Sequence, residues 1–234
     1  MSKDERSPSG SPIHRHRREN PELQPAEFGS PHGKQLEAHL TRFLGEASSV
    51  WHEIVSEFVH IDVHLYPPRT GRDFLVLVSH GMSRLPMTVP KEIPERRWGE
   101  LMVCLPPEWP LSDEDIREDR NYWPLRWIKT LAGLPHRYRT WLGPYHTIPN
   151  GDPPRAFAAD TSLCCWLLVP PVILGEGFPK LALPGGETLY LYNLVPIHRS
   201  EMDFKLQHGS EKLVEQLWNA RGLGVMDIAR KPVR

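Results

Sequence analysis

Two short segments of this chain, Phe74 to Val78 and Leu101 to Leu105, are apolar at every position. A strand turns successive side chains to opposite faces, so an unbroken apolar run of this length belongs to a strand covered on both sides. Two such strands require a sheet at the centre of the fold and further layers packed on its faces. The preceding segment shows the other strand pattern: Val59, Ile61, Val63 and Leu65 alternate with His60, Asp62, His64 and Tyr66, and Pro67 and Pro68 end the run. Leu163 to Val169 and Glu187 to Val195 read as two more strands, separated by a Pro- and Gly-rich connection that closes with the turn Pro184, Gly185, Gly186.

The helical patterns are bunched at the start, the middle and the end. Leu36, Leu40, Phe43 and Leu44 recur at helical spacing between Gly33 and about Ala47. Trp123, Trp127, Leu131 and Leu134 form an aromatic stripe, with Pro124 expected in the first turn. A helix from about Ser200 is interrupted near Gly209, and a last one, capped by Ser210, is expected to bury Leu213, Leu217 and Trp218 before Gly222. Ser49 to Phe58 fits a helix end or a strand. Paired strands with bunched helices favour α+β, a mixed and mainly antiparallel sheet flanked by helices, over a doubly wound parallel sheet. The 25 prolines would suggest disorder, but eight Trp, six Tyr and seven Phe require a packed interior. Most prolines then act as strand terminators, as at Pro106, Pro107, Pro170 and Pro171. Residues 1–33 are polar, rich in Pro and Ser and balanced in charge, and are expected to be a disordered tail; residues 34–234 form the domain.

Charge and cysteine usage remove several function classes. A formal net charge of -1 supplies no global field to attract nucleic acid or an anionic membrane. The longest apolar run, Leu163 to Leu174, is broken by Pro170 and Pro171, and the first residues lack the apolar stretch of a secretory leader, so a cytoplasmic protein is expected. The three cysteines read as small buried hydrophobes: Cys164 and Cys165, neighbours in a strand, point to opposite faces and cannot grip one ion. His52 and Glu53 begin like a zinc-protease helix, but Ser56 stands where the second imidazole is needed. Gly81, Met82, Ser83 resembles a nucleophile elbow, but Leu85 replaces the closing glycine. No phosphate-cradling loop occurs, and no cofactor is expected.

Two features remain. His60, Asp62 and His64 project from one strand face, and a metal-dependent hydrolase built on them is the alternative functional reading. Same-face residues on one strand lie about 6.5–7 Å apart, so convergence on an ion needs a ligand from a neighbouring strand, for which His80 is available. The second feature is the stretch between Pro106 and Pro124, where Glu108, Asp113, Glu114, Asp115, Glu118 and Asp119 meet only Arg117 and Arg120. An acidic loop of this kind can steer a basic protein partner.

The segment His60 to Pro90 resembles a suppressor of fused domain. The most specific piece is LVSHGMS followed by RLPMTVP; ELMVCLPPEWP, WPLRWIKTLAGLPH, GPYHTIPNGDP and LYNLVPIHRSEMDFKLQHGSEKLVEQL follow in order, and together they span about Leu36 to Trp218. The resemblance implies a noncatalytic protein-binding domain. Animal members close two lobes on a peptide of a Hedgehog-pathway transcription factor, and this chain is long enough only for the first lobe. Short single-lobe members resemble bacterial proteins encoded beside polymorphic toxins, which implies an immunity protein that binds and blocks a toxin. The loop where animal members place an acidic residue against their peptide aligns with Tyr145 and His146, which offer no carboxylate. The expected partner-binding residues are therefore Asp113, Glu114, Asp115, Glu118, Asp119, Tyr145 and His146.

Overall fold

The computed structural model describes residues 5–16, 31–53 and 59–233. The strands are β1 (Ser49–Trp51), β2 (Asp62–Tyr66), β3 (Leu75–His80), β4 (Trp98–Leu105), β5 (Thr147–Pro149), β6 (Cys165–Val169), β7 (Lys180–Ala182) and β8 (Thr188–Ile197). They join in one sheet in the order β1-β2-β3-β4-β8-β6-β5, with β7 also paired to β8. Every pairing is antiparallel except β4 with β8, where Trp98 faces Leu189 and Met102 faces Asn193. The expected α+β architecture, a mixed and mainly antiparallel sheet with flanking helices, is what forms.

The two fully apolar segments lie in β3 and β4, adjacent at the centre of the sheet with Leu75 opposite Leu105. Their alternating side chains enter two different cores. Leu75, Leu77, Leu101 and Val103 pack with Trp123, Ile128 and Leu131 of α2 (Asp119–Arg137). Val76, Val78, Met102 and Cys104 pack with Leu36, Leu40 and Leu44 of α1 (Gly33–Leu44). A third core joins Leu167, Val195 and Ile197 to Leu213 and Leu217 of α4 (Ser210–Asn219), which follows α3 (Arg199–His208). Full burial of each Leu, Ile or Phe side chain contributes roughly 1.5–3 kcal/mol, so the double-sided cover of β3 and β4 is the main source of order in the sheet. At the centre of the α2 core Trp123 stacks on Phe157 at 4.9 Å, and both lie against Trp166.

Three helix-level expectations are corrected. Trp218 is 61% exposed while Leu213 and Leu217 are fully buried. One residue turns a helix by about 100°, so burying Leu217 swings its neighbour Trp218 outward. Gly209, at φ +92°, precedes α4, and Ser210 is its first residue with no side-chain cap. Helix α2 begins at Asp119, which puts Pro124 inside it; the bond lost is a donor to the Arg120 carbonyl.

The expected disordered tail falls partly on residues outside those described. Residues 5–16 lie against the domain: the Ser9 N–H donates to the Leu206 carbonyl at 3.0 Å, and Arg15 pairs with Glu5 and reaches Asp152. The Ser56 position of the zinc-helix comparison is also outside the described residues. All three cysteines are buried and free, and burial pushes the Cys104 thiol up to about 12. Among the described residues no helix is long and apolar enough to cross a membrane.

Candidate functional site

The polar face of β2 is assembled by strand register. Trp51 is the partner of Val63, so the next step along the antiparallel pair sets His52 beside Asp62. His52 Nδ1 lies 3.0 Å and His60 Nε2 2.9 Å from the same oxygen, Oδ1 of Asp62. Glu53 anchors this approach by accepting the Ile61 N–H at 3.0 Å. Of the expected metal face, His60 and Asp62 therefore meet, but His64 and His80 do not join them. Those two rings stack on each other at 4.9 Å and 17°. Burial, reinforced by the His80 charge, pushes His64 down to about 4 and keeps it neutral. The residue that the β1–β2 register brings to them is His52, one position past β1, where the zinc-helix motif begins.

Two strands further into the sheet a carboxylate explains the LVSHGMS motif. Glu100 is fully buried near the start of β4. It accepts the Ser79 hydroxyl at 2.5 Å, the Ser83 hydroxyl at 2.6 Å, and the backbone N–H groups of Gly81 and Ser83 at 3.0 and 2.9 Å. Gly81 has φ +142°, and a Cβ there would stand 2.0 Å from the His60 carbonyl oxygen. Ser83 is thus a buried ligand of a structural carboxylate, in a position no substrate reaches, which is why the elbow-like sequence is not an elbow. His136 completes the knot by pairing with the Met82 carbonyl at 2.8 Å. An acid inside an otherwise apolar strand is the sequence signal for Glu100; three of its four donors come from the turn after β3, which periodicity does not read.

The residues expected to meet a partner fall in two places. The acidic stretch leads into α2: Asp115 accepts the Ser112 hydroxyl at 2.6 Å, and Asp119 pairs with Arg126. Asp113, Glu114 and Glu118 face solvent. Tyr145 and His146 lie beyond the other end of the same helix, whose 19 residues span about 28 Å. The fold therefore does not bring the two groups together. Tyr145, at φ +67°, is clipped to β6 through its N–H to the Leu168 carbonyl at 2.7 Å and is itself 38% exposed. His146 packs edge-on against Trp141 at 4.3 Å, beneath His14 at 6.3 Å. Its burial, with the nearby His14 and Lys205 charges, pushes it down to about 4. His16 stacks on Tyr138 at 5.3 Å, so residues 14–16 roof this loop. A feature that sequence reasoning missed is the open groove where Trp218 stands with Val172 and Ile173, three exposed apolar side chains.

Residues 58–231 match the family model described as suppressor of fused protein (SUFU). A SUFU homolog from Neisseria gonorrhoeae superposes with a TM-score of 0.63 at 17% identity, covering 87% of this chain and 97% of that one. A chain of the Sufu-Fu complex gives a TM-score of 0.61 at 13% identity, covering 87% and 92%. Drosophila suppressor of fused gives 0.61 at 13% identity, with 87% of this chain but 52% of that one covered. At these identities the likeness is one of fold. No curated protein matches the chain in sequence.

Proposed function

The chain belongs to the suppressor of fused family, and from that premise we propose that it is a noncatalytic domain that binds a protein partner, in the manner of an immunity protein that neutralises a basic toxin in the cytoplasm. One structural neighbour is held in a Sufu-Fu complex, so in that protein the fold serves protein–protein binding. The noncatalytic reading is supported by Ser83: the residue most like a nucleophile is buried and spends its hydroxyl on Glu100.

The single observation behind the partner's chemistry is the exposed row Asp113, Glu114 and Glu118 before α2. Carboxylates on a surface loop attract a cationic surface over a Debye length of about 8–10 Å and raise the rate of encounter. Tyr145 adds an exposed aromatic contact at a separate place, and His146 beside it is partly covered by His14. The test is protection: cells expressing the product of the adjacent gene, with and without this protein, are plated side by side. Rescue of growth by the wild-type protein, and its loss in an Asp113→Lys, Glu114→Lys, Glu118→Lys variant, is the expected result. Equal killing with and without the protein overturns the immunity reading.

A further inference from the structure

We propose that His52, His60 and Asp62 form a binding site for one zinc ion at the β1–β2 edge of the sheet. Their ligand atoms all lie within 4.8 Å of one another, and both imidazole nitrogens already converge on one carboxylate oxygen at 3.0 and 2.9 Å. Tetrahedral zinc with bonds of about 2.0–2.1 Å separates its ligand atoms by about 3.3 Å, so each imidazole nitrogen moves a few tenths of an ångström from Asp62 Oδ1, and the exposed His52 ring turns to bring the two nitrogens, now within 4.8 Å of each other, to the same spacing. Two imidazoles and one carboxylate are a donor set suited to zinc, and they leave a fourth position for water. The set is preorganised by backbone pairing: the register fixes His52 against Asp62, and the Glu53 link to Ile61 holds the two segments together.

The surroundings also suit a cation that remains in contact with solvent. The side chain of His52 is 70% exposed, while those of His60 and Asp62 are 15% and 14% exposed. The site thus has a buried floor and one open side. A zinc ion takes the place of the two contacts that now join the imidazole nitrogens to Asp62 Oδ1 and satisfies the same three groups. Of the two charges that flank the cluster, the Glu53 carboxylate favours a cation, whereas the Lys129 ammonium, whose Nζ lies 3.5 Å from the His52 carbonyl, opposes one. His64 and His80 use their rings on each other and are outside the set.

The experiment is zinc titration of the chelator-stripped full-length protein against a chromophoric chelator, with cobalt(II) substitution to read ligand geometry. The proposal expects one equivalent bound and d–d bands of a four- or five-coordinate cobalt site. His60→Ala and Asp62→Asn weaken binding by at least about 100-fold, beyond what loss of an outer hydrogen-bonding partner costs. His64→Ala with His80→Ala, the imidazole pair beside the site, leaves binding within about threefold, and so does His14→Ala with His16→Ala, a second pair that lies over the loop before β5 at the other edge of the sheet. His52→Ala, at the exposed side of the cluster, repeats the loss without touching the core, so an unfolded Asp62 variant does not obscure the answer. Absence of stoichiometric zinc, or zinc that survives His60→Ala and His52→Ala and departs with His14 and His16, overturns the site.

Discussion

The backbone of Gly81 shows how one residue can hold several others. Its φ of +142° suits glycine, and its N–H is one of the four donors on Glu100. Gly81→Ala adds a Cβ that meets the His60 carbonyl and strains the turn, so it should destabilise the fold by at least about 3 kcal/mol. For a chain of this size that is a fall in Tm of about 6–12 °C, measurable by calorimetry. His146 makes a second prediction, through pH. Its ordinary value is 6.5 and its folded value about 4, because burial and the neighbouring His14 and Lys205 charges disfavour the imidazolium. Between those values the unfolded chain binds a proton that the native one refuses, so stability falls as pH drops from 6.5 towards 4. His146→Phe keeps the packing on Trp141 and removes the titration. It should flatten that limb by about 2 kcal/mol in denaturant unfolding, the shift being discounted for partial solvent access. The slope that remains belongs in part to His136, which burial also holds below its ordinary value.

Among the elements, α3 is fixed by its first turn to the end of the chain. Glu201 is fully buried and takes a two-pronged ion pair from Arg230 at 2.6 Å on each oxygen, with backbone donors from His198 and Val233. Burial alone would raise this carboxyl, but the Arg230 guanidinium and those N–H groups outweigh it and hold it below the usual range. Arg230→Ala leaves a buried charge without its counter-ion and should cost about 3–5 kcal/mol. Hydrogen exchange should then show α3 and residues 226–233 opening together ahead of the sheet; protection unchanged there would contradict this coupling. The sequence does not announce it, because His198 stands at the N-cap where a capping box ordinarily has Ser or Thr, and the helix reads as starting near Ser200. The same physics divides what is legible from what is not. β3 and β4 are readable because burial on both faces leaves an unbroken apolar run. β1, β5 and β7 have three residues each, too few for any period, and the parallel β4–β8 pairing joins segments far apart in sequence. At the candidate metal site the alternation of β2 reveals His60 and Asp62. His52 arrives by cross-strand register, which a linear pattern does not encode, and Trp218 is misplaced because adjacency to Leu217 says little about facing.

Over the whole molecule, the near-neutral charge hides an uneven distribution. The acidic row Asp113, Glu114 and Glu118 lies at one end of α2, and residues 14–16, with Arg15 between two histidines, roof the loop beyond its other end. A basic partner approaching the acidic end does not disturb the sheet, so charge reversal there should leave Tm unchanged while slowing association by about tenfold at low salt. The same reversal should lose its effect as salt rises, which stopped-flow mixing reads directly. The central claim, that this member of the suppressor of fused family is a protein-binding domain, is tested most directly by size-exclusion chromatography with light scattering on the protein coexpressed with the product of its adjacent gene. One peak whose mass is the sum of the two chains is expected, weakened in the Asp113→Lys, Glu114→Lys, Glu118→Lys variant. Two separate peaks at their individual masses would contradict it.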